Sequence, residues 1–271
     1  MTSASSNPIA TLRAKNPLIQ NISNIVTAND CANATLAIGA SPIMADSLAD
    51  MDEIVAMADA LVINIGILHE ESALVMLKAG RVANEHHVPV VLDPVGAGIS
   101  RLRNRTLEDL LREVRFFIIK GNLSEINFLA GKAGKAKGVD VSEVDRDKTA
   151  SAHLLRELAG RTGSVIVATG KVDTVSDAET TFMIHNGSAR MGQVTGTGCM
   201  TASLMGAFCG AFPDQPLMSA LWGIETMGIA GQHADKATRG LGTGSFHSAL
   251  IDAISLMDDA TLQEEGDHDE A

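Results

Sequence analysis

Residues 88–98 read VPVVLDPVGAG, an apolar run that ends in an aspartate, a proline and two closely spaced glycines. Val and Leu in unbroken succession are typical of a strand that is buried on both faces of a parallel sheet. The switch to Asp93-Pro94 marks the carboxyl end of this strand, and the glycines after it allow the backbone to turn sharply or to approach a ligand. The fold depends on whether this pattern recurs.

Three more apolar runs of strand length repeat the pattern, at Ala60–Ile65, Phe116–Lys120 and Ser164–Ala168. Helical patterns lie between them, at Glu70–Glu85, Thr106–Val114 and Asp145–Leu158. Strands that alternate with helices of this length predict an α/β fold with a largely parallel sheet.

The order of elements changes after about residue 165. A hairpin is predicted from Thr174 through Thr180 to His185, followed by a turn at Asn186-Gly187. Three helices complete the pattern, at Cys199–Phe212, Leu217–Lys236 and Ser245–Met257. The first of them is uncharged but too short to span a bilayer, so we expect it to be buried.

The chain has 271 residues, 45% of them hydrophobic, and no linker or internal repeat divides it. This size suits a single large domain, which we place at residues 1–257. Residues 258–271 contain seven Asp or Glu and no Lys or Arg. A segment of this composition is expected to be a disordered, solvated tail.

The charge balance excludes several classes of partner. With 33 acidic against 21 basic residues and a net charge of −12, the chain lacks the clustered Lys and Arg that nucleic acids and anionic membranes require. Aromatic residues make up only 3%, so stacking platforms for single strands are missing as well. Three cysteines are too few for a disulfide framework, and no signal-peptide run opens the chain, which together predict a cytoplasmic protein.

Polar residues and a glycine follow each of the four apolar runs, as Asn64-Ile65-Gly66, Asp93-Pro94-Val95-Gly96, Lys120-Gly121-Asn122-Leu123-Ser124-Glu125 and Ala168-Thr169-Gly170. The carboxyl ends of parallel strands meet at one edge of a sheet, where ligands bind. One glycine after a strand would indicate only a turn, whereas four beside polar residues favour a ligand site.

Asp93 and Glu125 are the candidate metal ligands. Each follows an apolar strand, where an acid has no packing role. Mg²⁺ takes one or two carboxylates and leaves the rest of its shell to substrate phosphates. The eight histidines show no zinc-ligand spacing, so the sequence predicts a magnesium site and no zinc site.

Gly196-Thr197-Gly198-Cys199 comes directly before the predicted uncharged helix. The N–H groups in the first turn of a helix lack intrahelical partners, so this loop can bind an anion. Spacing alone leaves open a plain glycine-rich turn that starts a buried helix. Cys199 is either a small buried thiol or a group that acts on whatever the loop binds, and no histidine placement singles out a catalytic triad.

Two other glycine-rich runs only superficially resemble nucleotide motifs. Residues 131–135, GKAGK, lack the Ser or Thr, the glycine spacing and the preceding strand of a P-loop. Gly96-Ala97-Gly98 lacks the third glycine of a dinucleotide fingerprint, because Arg101 stands there. Neither run is interpreted as a nucleotide site.

A series of short motifs lies between residues 16 and 199, comprising Asn16-Pro17-Leu18 with Asn21-Ile22-Ser23-Asn24, Gly39-Ala40-Ser41-Pro42-Ile43-Met44, the strand-end motifs given above, and Val194-Thr195-Gly196-Thr197-Gly198-Cys199. In these motifs the chain resembles the hydroxyethylthiazole kinases, thiamine-salvage members of the ribokinase-like superfamily, and the resemblance runs from about Asn16 to Ala253. The resemblance implies a three-layer α/β/α sandwich around a mostly parallel sheet. The chain departs from the usual motifs at Ser23, Ile67 and Ile99-Ser100, which concerns substrate contacts rather than the chemistry.

The resemblance also implies a role for each site residue. Met44 and Gly196 would contact the thiazole alcohol, and Asp93 with Glu125 would organise Mg²⁺. The residues implied to bind ATP are Lys120, Asn122 and Thr169. The anion hole would consist of Gly196, Thr197 and Gly198, with Cys199 where much of the superfamily has an Asp general base.

The implied reaction transfers the γ-phosphoryl group of ATP to the primary alcohol of 4-methyl-5-(2-hydroxyethyl)thiazole, with Mg²⁺ as cofactor, at sites between the subunits of a homotrimer. Three alternatives stay open: a ribokinase-like lyase of the ATP-dependent NAD(P)H-hydrate dehydratase type, a pyrimidine kinase of the same superfamily, and a non-catalytic thiazole sensor. The two candidate metal acids and the glycine loop argue against the sensor, which would not consume ATP.

Overall fold

The computed structural model describes residues 7–132 and 148–271. Its strands are β1 (Leu18–Ile22), β2 (Ser41–Ile43), β3 (Ala60–Asn64), β4 (Val90–Asp93), β5 (Ile118–Asn122), β6 (Val165–Thr169), β7 (Asp173–Ser176), β8 (Thr181–Ile184) and β9 (His268–Glu270). They form one sheet in the order β2-β1-β3-β4-β5-β6-β7-β8-β9.

Strands β1 to β6 are parallel to one another, and β7 to β9 continue the sheet in antiparallel pairs, the first of them between β6 and β7. Every residue of β3 and β4 is buried, as their unbroken apolar sequences predict. The register places Asn64 opposite Asp93 and Asn122 opposite Thr169. The polar residues that follow the apolar runs therefore meet at one edge of the sheet.

Helices cover both faces of the sheet. They are α1 (Pro8–Lys15), α2 (Ala28–Ile38), α3 (Met51–Met57), α4 (Glu70–Glu85), α5 (Arg101–Glu113), α6 (Leu123–Leu129), α7 (Lys148–Thr162), α8 (Thr197–Ala211), α9 (Pro216–Ala237), α10 (Thr243–Leu256) and α11 (Asp259–Glu265), with a 3₁₀ helix at Ala189–Gln193.

One apolar core lies on each face of the sheet. Helices α1, α2, α8, α9 and α10 contribute to one core, which contains Phe208 and Phe246. Helices α3 to α7 contribute to the other, which contains Met76 and Leu155. The predicted α/β fold is confirmed, and its three layers are helices, sheet and helices.

The predicted elements from Ala60 onward are present. The four strands and the three late helices differ from their predicted ends by at most two residues, and α4 has the predicted bounds. Helix α5 starts five residues before the predicted Thr106, because Ser100 caps it by accepting a hydrogen bond from the Arg103 N–H. The polar first turn of α5 hides this start from a search for apolar periodicity.

Two features of the sequence extend beyond the described part of the chain. The helix predicted for Asp145–Leu158 is present as α7, and residues 145–147 lie outside the described residues. Residues 133–135 of the GKAGK run lie outside them as well.

The sequence patterns predict no element before Ala60, whereas the described residues 7–59 contain two strands and three helices. Strand β1 reads LIQNI, and its Gln20 and Asn21 are buried polar residues that interrupt the apolar run. Strand β2 has only three residues.

Helix α8 is buried along almost its whole length, as its lack of charge predicts. Within residues 7–132 and 148–271, none of the helices combines the length and the apolar character needed to cross a membrane.

The disordered tail predicted for residues 258–271 is wrong. These residues form α11 and β9, and we refer to Asp258–Ala271 as the C-terminal strap. Leu262 of the strap is buried in the core. Strand β9 pairs with β8, with His268 opposite Ile184. The strap therefore packs against the rest of the fold.

Four of the seven acidic side chains of the strap, those of Asp258, Asp259, Glu265 and Asp269, have hydrogen-bond or ion-pair partners, which is why its composition misleads. Asp258 caps α11 by accepting from the Thr261 N–H at 2.8 Å, and Asp259 accepts from the Ile9 N–H at the start of α1 at 2.7 Å. Three histidine–carboxylate pairs also fasten the strap: His185–Asp269 at 3.1 Å, His233–Glu265 at 2.7 Å and His268–Glu225 at 2.6 Å. Paired and capping charges favour the folded position of this segment.

Candidate active site

Asp93 lies at the carboxyl end of β4 and is only 1% exposed. Its Oδ2 accepts a hydrogen bond from Asn64 Nδ2 at 2.8 Å, and its Oδ1 lies 3.6 Å from Lys120 Nζ. Burial raises the pKa of Asp93 to about 6, an effect that the Lys120 ammonium opposes and the Glu125 carboxylate reinforces. The strand ends thus place a buried acid beside a buried cation.

Glu125 is fixed by a reciprocal cap at the start of α6. Its Oε2 accepts from the Asn122 N–H at 2.8 Å, while Asn122 Oδ1 accepts from the Glu125 N–H at 2.9 Å. Its Oε1 accepts from the Gly96 N–H in the loop after β4, also at 2.8 Å. The cap and this loop contact together hold Glu125 near Asp93, while Asn122 remains exposed.

The two acids suit a hard cation. Within the described residues, the buried Oδ1 of Asp93 makes no hydrogen bond, and each Glu125 oxygen accepts one backbone N–H, which leaves lone pairs free. No group of three or more His, Cys, Asp or Glu converges in the described part of the chain. A site with two carboxylates fits Mg²⁺ when phosphates complete the shell.

The glycine loop begins α8 with a left-handed residue. Gly196 is the N-cap and has a φ of +91°, which side-chain-bearing residues rarely adopt. A methyl group added there would come within 3.0 Å of Thr27 Cγ2. No side chain among the described residues caps this helix end, so the N–H groups of its first turn are available to an anion.

Lys120 joins the loop to the acids. A methyl group added at Gly198 would lie 3.0 Å from Lys120 Nζ, so the ammonium packs against the second glycine of the loop. The same Nζ is 3.6 Å from Asp93 Oδ1. A buried cation and unpaired N–H groups on one side, with carboxylates on the other, are the groups that bind phosphate and its counter-ion.

A cavity of about 570 Å³ opens beside the loop. Thr169, Thr197 and Gly198 line it together with Asp173. Asp173 fixes the turn after β6 by accepting from the Gly170 N–H at 2.8 Å, and burial raises the pKa of Asp173 to about 6. The volume is within the range of small-molecule sites.

A larger cavity, of about 1080 Å³, lies at the opposite edge of the sheet, near the amino ends of β5 and β6. Phe116, Ser164 and Leu217 are among the residues that line it, and none of the predicted site residues does. Ligands of parallel sheets bind at the carboxyl ends of the strands. The smaller cavity is therefore the candidate active site.

The structure brings most of the predicted site residues together at this edge. Met44 stands apart: it is half-buried and directly follows β2, the terminal strand of the sheet on the side of β1. The neighbouring β1 leads to Asn24, whose Nδ2 is 3.6 Å from Cys199 Sγ. Met44 thus lies on the side of the site that is away from β5 and β6.

Arg103 holds the site together, and the sequence patterns assign it no role. Its guanidinium donates to the carbonyls of Gly66 and Val95, both at 2.7 Å, and also to that of Ile65. These carbonyls belong to the loops after β3 and β4. One arginine among several in a polar helix gives no sequence signal of this contact.

Asn64 is the second such residue, although it stands in a motif quoted above. Its Nδ2 contacts both Asp93 Oδ2 at 2.8 Å and Cys199 Sγ at 3.1 Å. It therefore links the acid at the end of β4 to the first turn of α8.

Comparison with known proteins finds relatives along nearly the whole chain. The model of the hydroxyethylthiazole kinase family matches residues 9–259. A hydroxyethylthiazole kinase from Ruminiclostridium cellulolyticum is 47% identical over 251 residues, which cover 93% of this chain and 92% of that protein.

Solved structures extend the comparison to the fold. The structure of a hydroxyethylthiazole kinase protein from Pyrococcus horikoshii matches with a TM-score of 0.87 at 36% identity and covers 97% of both chains. A ribokinase-like superfamily protein from Enterococcus faecalis matches with a TM-score of 0.59 at 12% identity, covering 94% of this chain and 89% of that one. The second likeness concerns the fold alone, and the expected ribokinase-like architecture is confirmed.

Proposed function

This chain belongs to the hydroxyethylthiazole kinase family, and we propose that the site at the carboxyl edge of its sheet transfers the γ-phosphoryl group of ATP to the primary alcohol of 4-methyl-5-(2-hydroxyethyl)thiazole, as a step of thiamine salvage. The observation that carries the proposal is the position of Lys120 Nζ, between Asp93 Oδ1 and Gly198 of the uncapped helix end. Phosphoryl transfer needs this kind of charge stabilisation around the transferred group.

The phosphate-binding roles fall to the glycine loop and the ends of β5 and β6. The N–H groups of Thr197, Gly198 and Cys199 face the charge on the transferred group, and Lys120 neutralises phosphate oxygens. Thr169 lines the adjoining cavity and contributes to ATP binding with the exposed Asn122. One preorganised donor of this kind is worth about 2.7 to 4 kcal/mol.

Asp93 and Glu125 are the residues that would hold Mg²⁺. When bound, the ion supplies neutralisation of the β- and γ-phosphate oxygens. The free lone pair on the buried Asp93 Oδ1 supports this assignment.

The acceptor alcohol binds beside Cys199, between Gly196 and Met44. Cys199 orients the hydroxyl or accepts its proton at Sγ. The alcohol oxygen forms the new bond to phosphorus, the bond between the γ-phosphorus and ADP breaks, and ADP leaves with the electron pair. In a loose transition state positioning matters more than the base. A phosphorylated enzyme intermediate on isotopic labelling would contradict this direct transfer.

A homotrimer with sites between subunits is supported by exposed apolar residues that lie next to site residues in the chain. Ile25 is 84% exposed and follows Asn24, while Ile99 is 79% exposed and follows Gly98. Val26, which follows Ile25, and Ile67, which follows Gly66, are exposed as well. Apolar surface next to a functional site favours contact with another chain. A monomeric mass in sedimentation equilibrium would contradict the trimer.

A cytoplasmic location is supported by the cysteines. Cys31, Cys199 and Cys209 are all free, which suits a reducing compartment. Recovery of the protein with periplasmic markers after cell fractionation would contradict it.

An ADP-release assay tests the proposed activity. Purified protein, ATP and Mg²⁺ are mixed with the hydroxyethylthiazole, with a hydroxymethylpyrimidine alcohol or with no acceptor. We expect ADP release that depends on the thiazole and matches the thiazole phosphate formed.

Three other results would each support a different function. ADP release with the pyrimidine alone indicates the pyrimidine kinase, and ATP consumption driven by hydrated NAD(P)H indicates the lyase. Thiazole binding in calorimetry without any ADP release indicates the sensor.

A further inference from the structure

Two asparagine side chains converge on Cys199. Asn64 Nδ2 lies 3.1 Å from Cys199 Sγ, and Asn24 Nδ2 lies 3.6 Å from it. Both asparagines are buried, so water competes weakly for their N–H groups. Cys199 itself lies in the first turn of α8, where helix N–H groups also favour negative charge.

Backbone contacts fix which end of each amide faces the sulfur. Asn64 Oδ1 accepts from the Gly66 N–H at 2.8 Å. Asn24 Oδ1 accepts from the N–H groups of Val26 and Thr27 at 3.1 and 3.2 Å. A backbone N–H only donates, so both oxygens must point to the backbone and both NH₂ groups must point to Cys199.

We propose that Asn24 and Asn64 are positioning residues that hold the side chain of residue 199 as a hydrogen-bond acceptor and stabilise its thiolate form in the resting enzyme. The inference deepens the proposed function, because the acceptor alcohol would meet a sulfur whose charge is already balanced by two fixed N–H donors. Hydrogen bonds to a charged group are about twice as strong as neutral ones.

The titratable groups around Cys199 come from four elements. Cys31 lies close to it on α2, where Asp30 also packs against Gly196. Asp93 at the end of β4 shares Asn64 Nδ2 with the sulfur. Lys120 on β5 packs against Gly198. His247 on α10 pairs with Asp30 at 3.0 Å. The acids oppose a thiolate, whereas Lys120 and the two amide N–H groups favour it.

The other thiols make a clean measurement feasible. Burial raises the pKa of the Cys31 thiol, and it raises the pKa of Cys209 to about 12. Both cysteines are fully buried, whereas Cys199 is partly exposed. At neutral pH an alkylating reagent should therefore modify Cys199 in the native enzyme before either of the others.

The experiment measures iodoacetamide modification of Cys199 between pH 5 and pH 10, by peptide mass spectrometry on the full chain without ATP or thiazole. We expect the midpoint of the rate-against-pH curve for the native enzyme to lie at least about one pH unit below that of the urea-unfolded chain, a tenfold change. Asn64→Ala should move the midpoint upward by about the same amount, and Asn24→Ala by less, since its contact is longer.

Asn84→Ala is the matched control. The Asn84 amide is also held by backbone, through the N–H and the carbonyl of Arg115, and it is not among the residues that contact Cys199. Its midpoint should equal that of the unsubstituted enzyme.

Two results would overturn the proposal. The first is a midpoint of the unsubstituted enzyme that is no lower than that of the unfolded chain, which can be measured even if both asparagine variants fail to fold. The second is an unchanged midpoint in folded Asn64→Ala. An enzyme that gives the expected midpoints but no thiazole-dependent ADP release would refute the proposed function and leave the inference standing.

Discussion

The carboxyl edge of the sheet and the C-terminal strap are both rich in acids, and they are held in place in different ways. At the edge, Asp93 and Glu125 are positioned by buried backbone and amide groups of neighbouring strand ends. In the strap, Glu265 and Asp269 pair with histidines on partly exposed surface. Buried hydrogen bonds to a charge are strong, whereas exposed pairs contribute little.

The difference between the two regions indicates whether an acidic residue serves catalysis or local stability. Burial of a carboxylate at the end of a strand costs free energy, and the charge is tolerated there only when specific partners donate hydrogen bonds to it. An acid in a hydrophilic segment is solvated in the unfolded chain, so a cap or a histidine partner adds only modestly to the stability of the fold. Substitutions at the edge should therefore affect catalysis, and substitutions in the strap should affect local stability.

The largest effect is expected from Asp93→Ala, measured as kcat in the ADP-release assay. Loss of the carboxylate removes charge stabilisation worth several kcal/mol, which corresponds to a loss of activity of about a thousandfold or more. Glu125→Ala should be similarly inactive, because Glu125 also supports the loop at Gly96. Protection of the strap from hydrogen exchange should be unchanged in both variants.

Cys199→Asp is the contrasting change at the same edge, and it should keep kinase activity. A carboxylate accepts the same N–H groups of Asn24 and Asn64 that face the sulfur. An inactive Cys199→Asp enzyme with an intact fold would show that residue 199 is not the proton acceptor.

The edge could be predicted from the sequence because strand periodicity decides where a strand ends. Once Val90–Asp93 is identified as a buried strand, Asp93 must lie at its carboxyl end, and parallel neighbours bring Lys120 to the same edge. Partners that are far away in sequence were not predictable in this way. The contact of Arg103 with Gly66 depends on how α5 packs, and no local pattern encodes it.

The strap could not be predicted for a related reason. Its composition is that of a disordered segment, and its partners His185, Glu225 and His233 are 32 to 84 residues away in sequence. The single buried Leu262 is too small a signal to predict docking. Composition therefore predicts disorder only where charges lack partners.

Arg103→Met should produce an intermediate effect, a loss of about 10- to 100-fold in kcat/KM. The substitution leaves the carbonyls of Gly66 and Val95 without their charged donor, and one such bond contributes about 1.5 to 3 kcal/mol. The loops that carry Asn64 and Asp93 should then move relative to each other. Added guanidinium should restore part of the activity if the positioning role is correct.

Arg105→Met is the control for Arg103, because Arg105 is an exposed arginine on the same helix. It should keep full activity and show no response to guanidinium. Equal losses in the two variants would mean that the charge of α5, and not the carbonyl contacts of Arg103, supports the site.

The smallest effect is expected from replacing by Gln both His268 of the strap and His233 of α9, which pairs with Glu265 of the strap. Burial raises the pKa of Glu225, with the His268 contact opposing the rise. The folded state therefore holds this proton more tightly than the unfolded chain, and the stabilisation is present at low pH and lost as the pH rises through the raised pKa.

After correction for intrinsic rates, strap amides of the unsubstituted protein should thus exchange faster at pH 8 than at pH 5, because the raised pKa of Glu225 stabilises the fold only toward low pH. The double variant should exchange faster than the unsubstituted protein already at pH 5, with a loss of up to about 1 kcal/mol for the exposed His233–Glu265 pair. His86→Gln, at an exposed histidine that ends α4, should match the unsubstituted protein. Thiazole-dependent ADP release should persist in the double variant at both pH values, because the strap pairs do not touch Asp93 or Lys120. Loss of activity in step with strap exchange would instead mean that the two regions are coupled, and that the histidine pairs help to shape the catalytic edge.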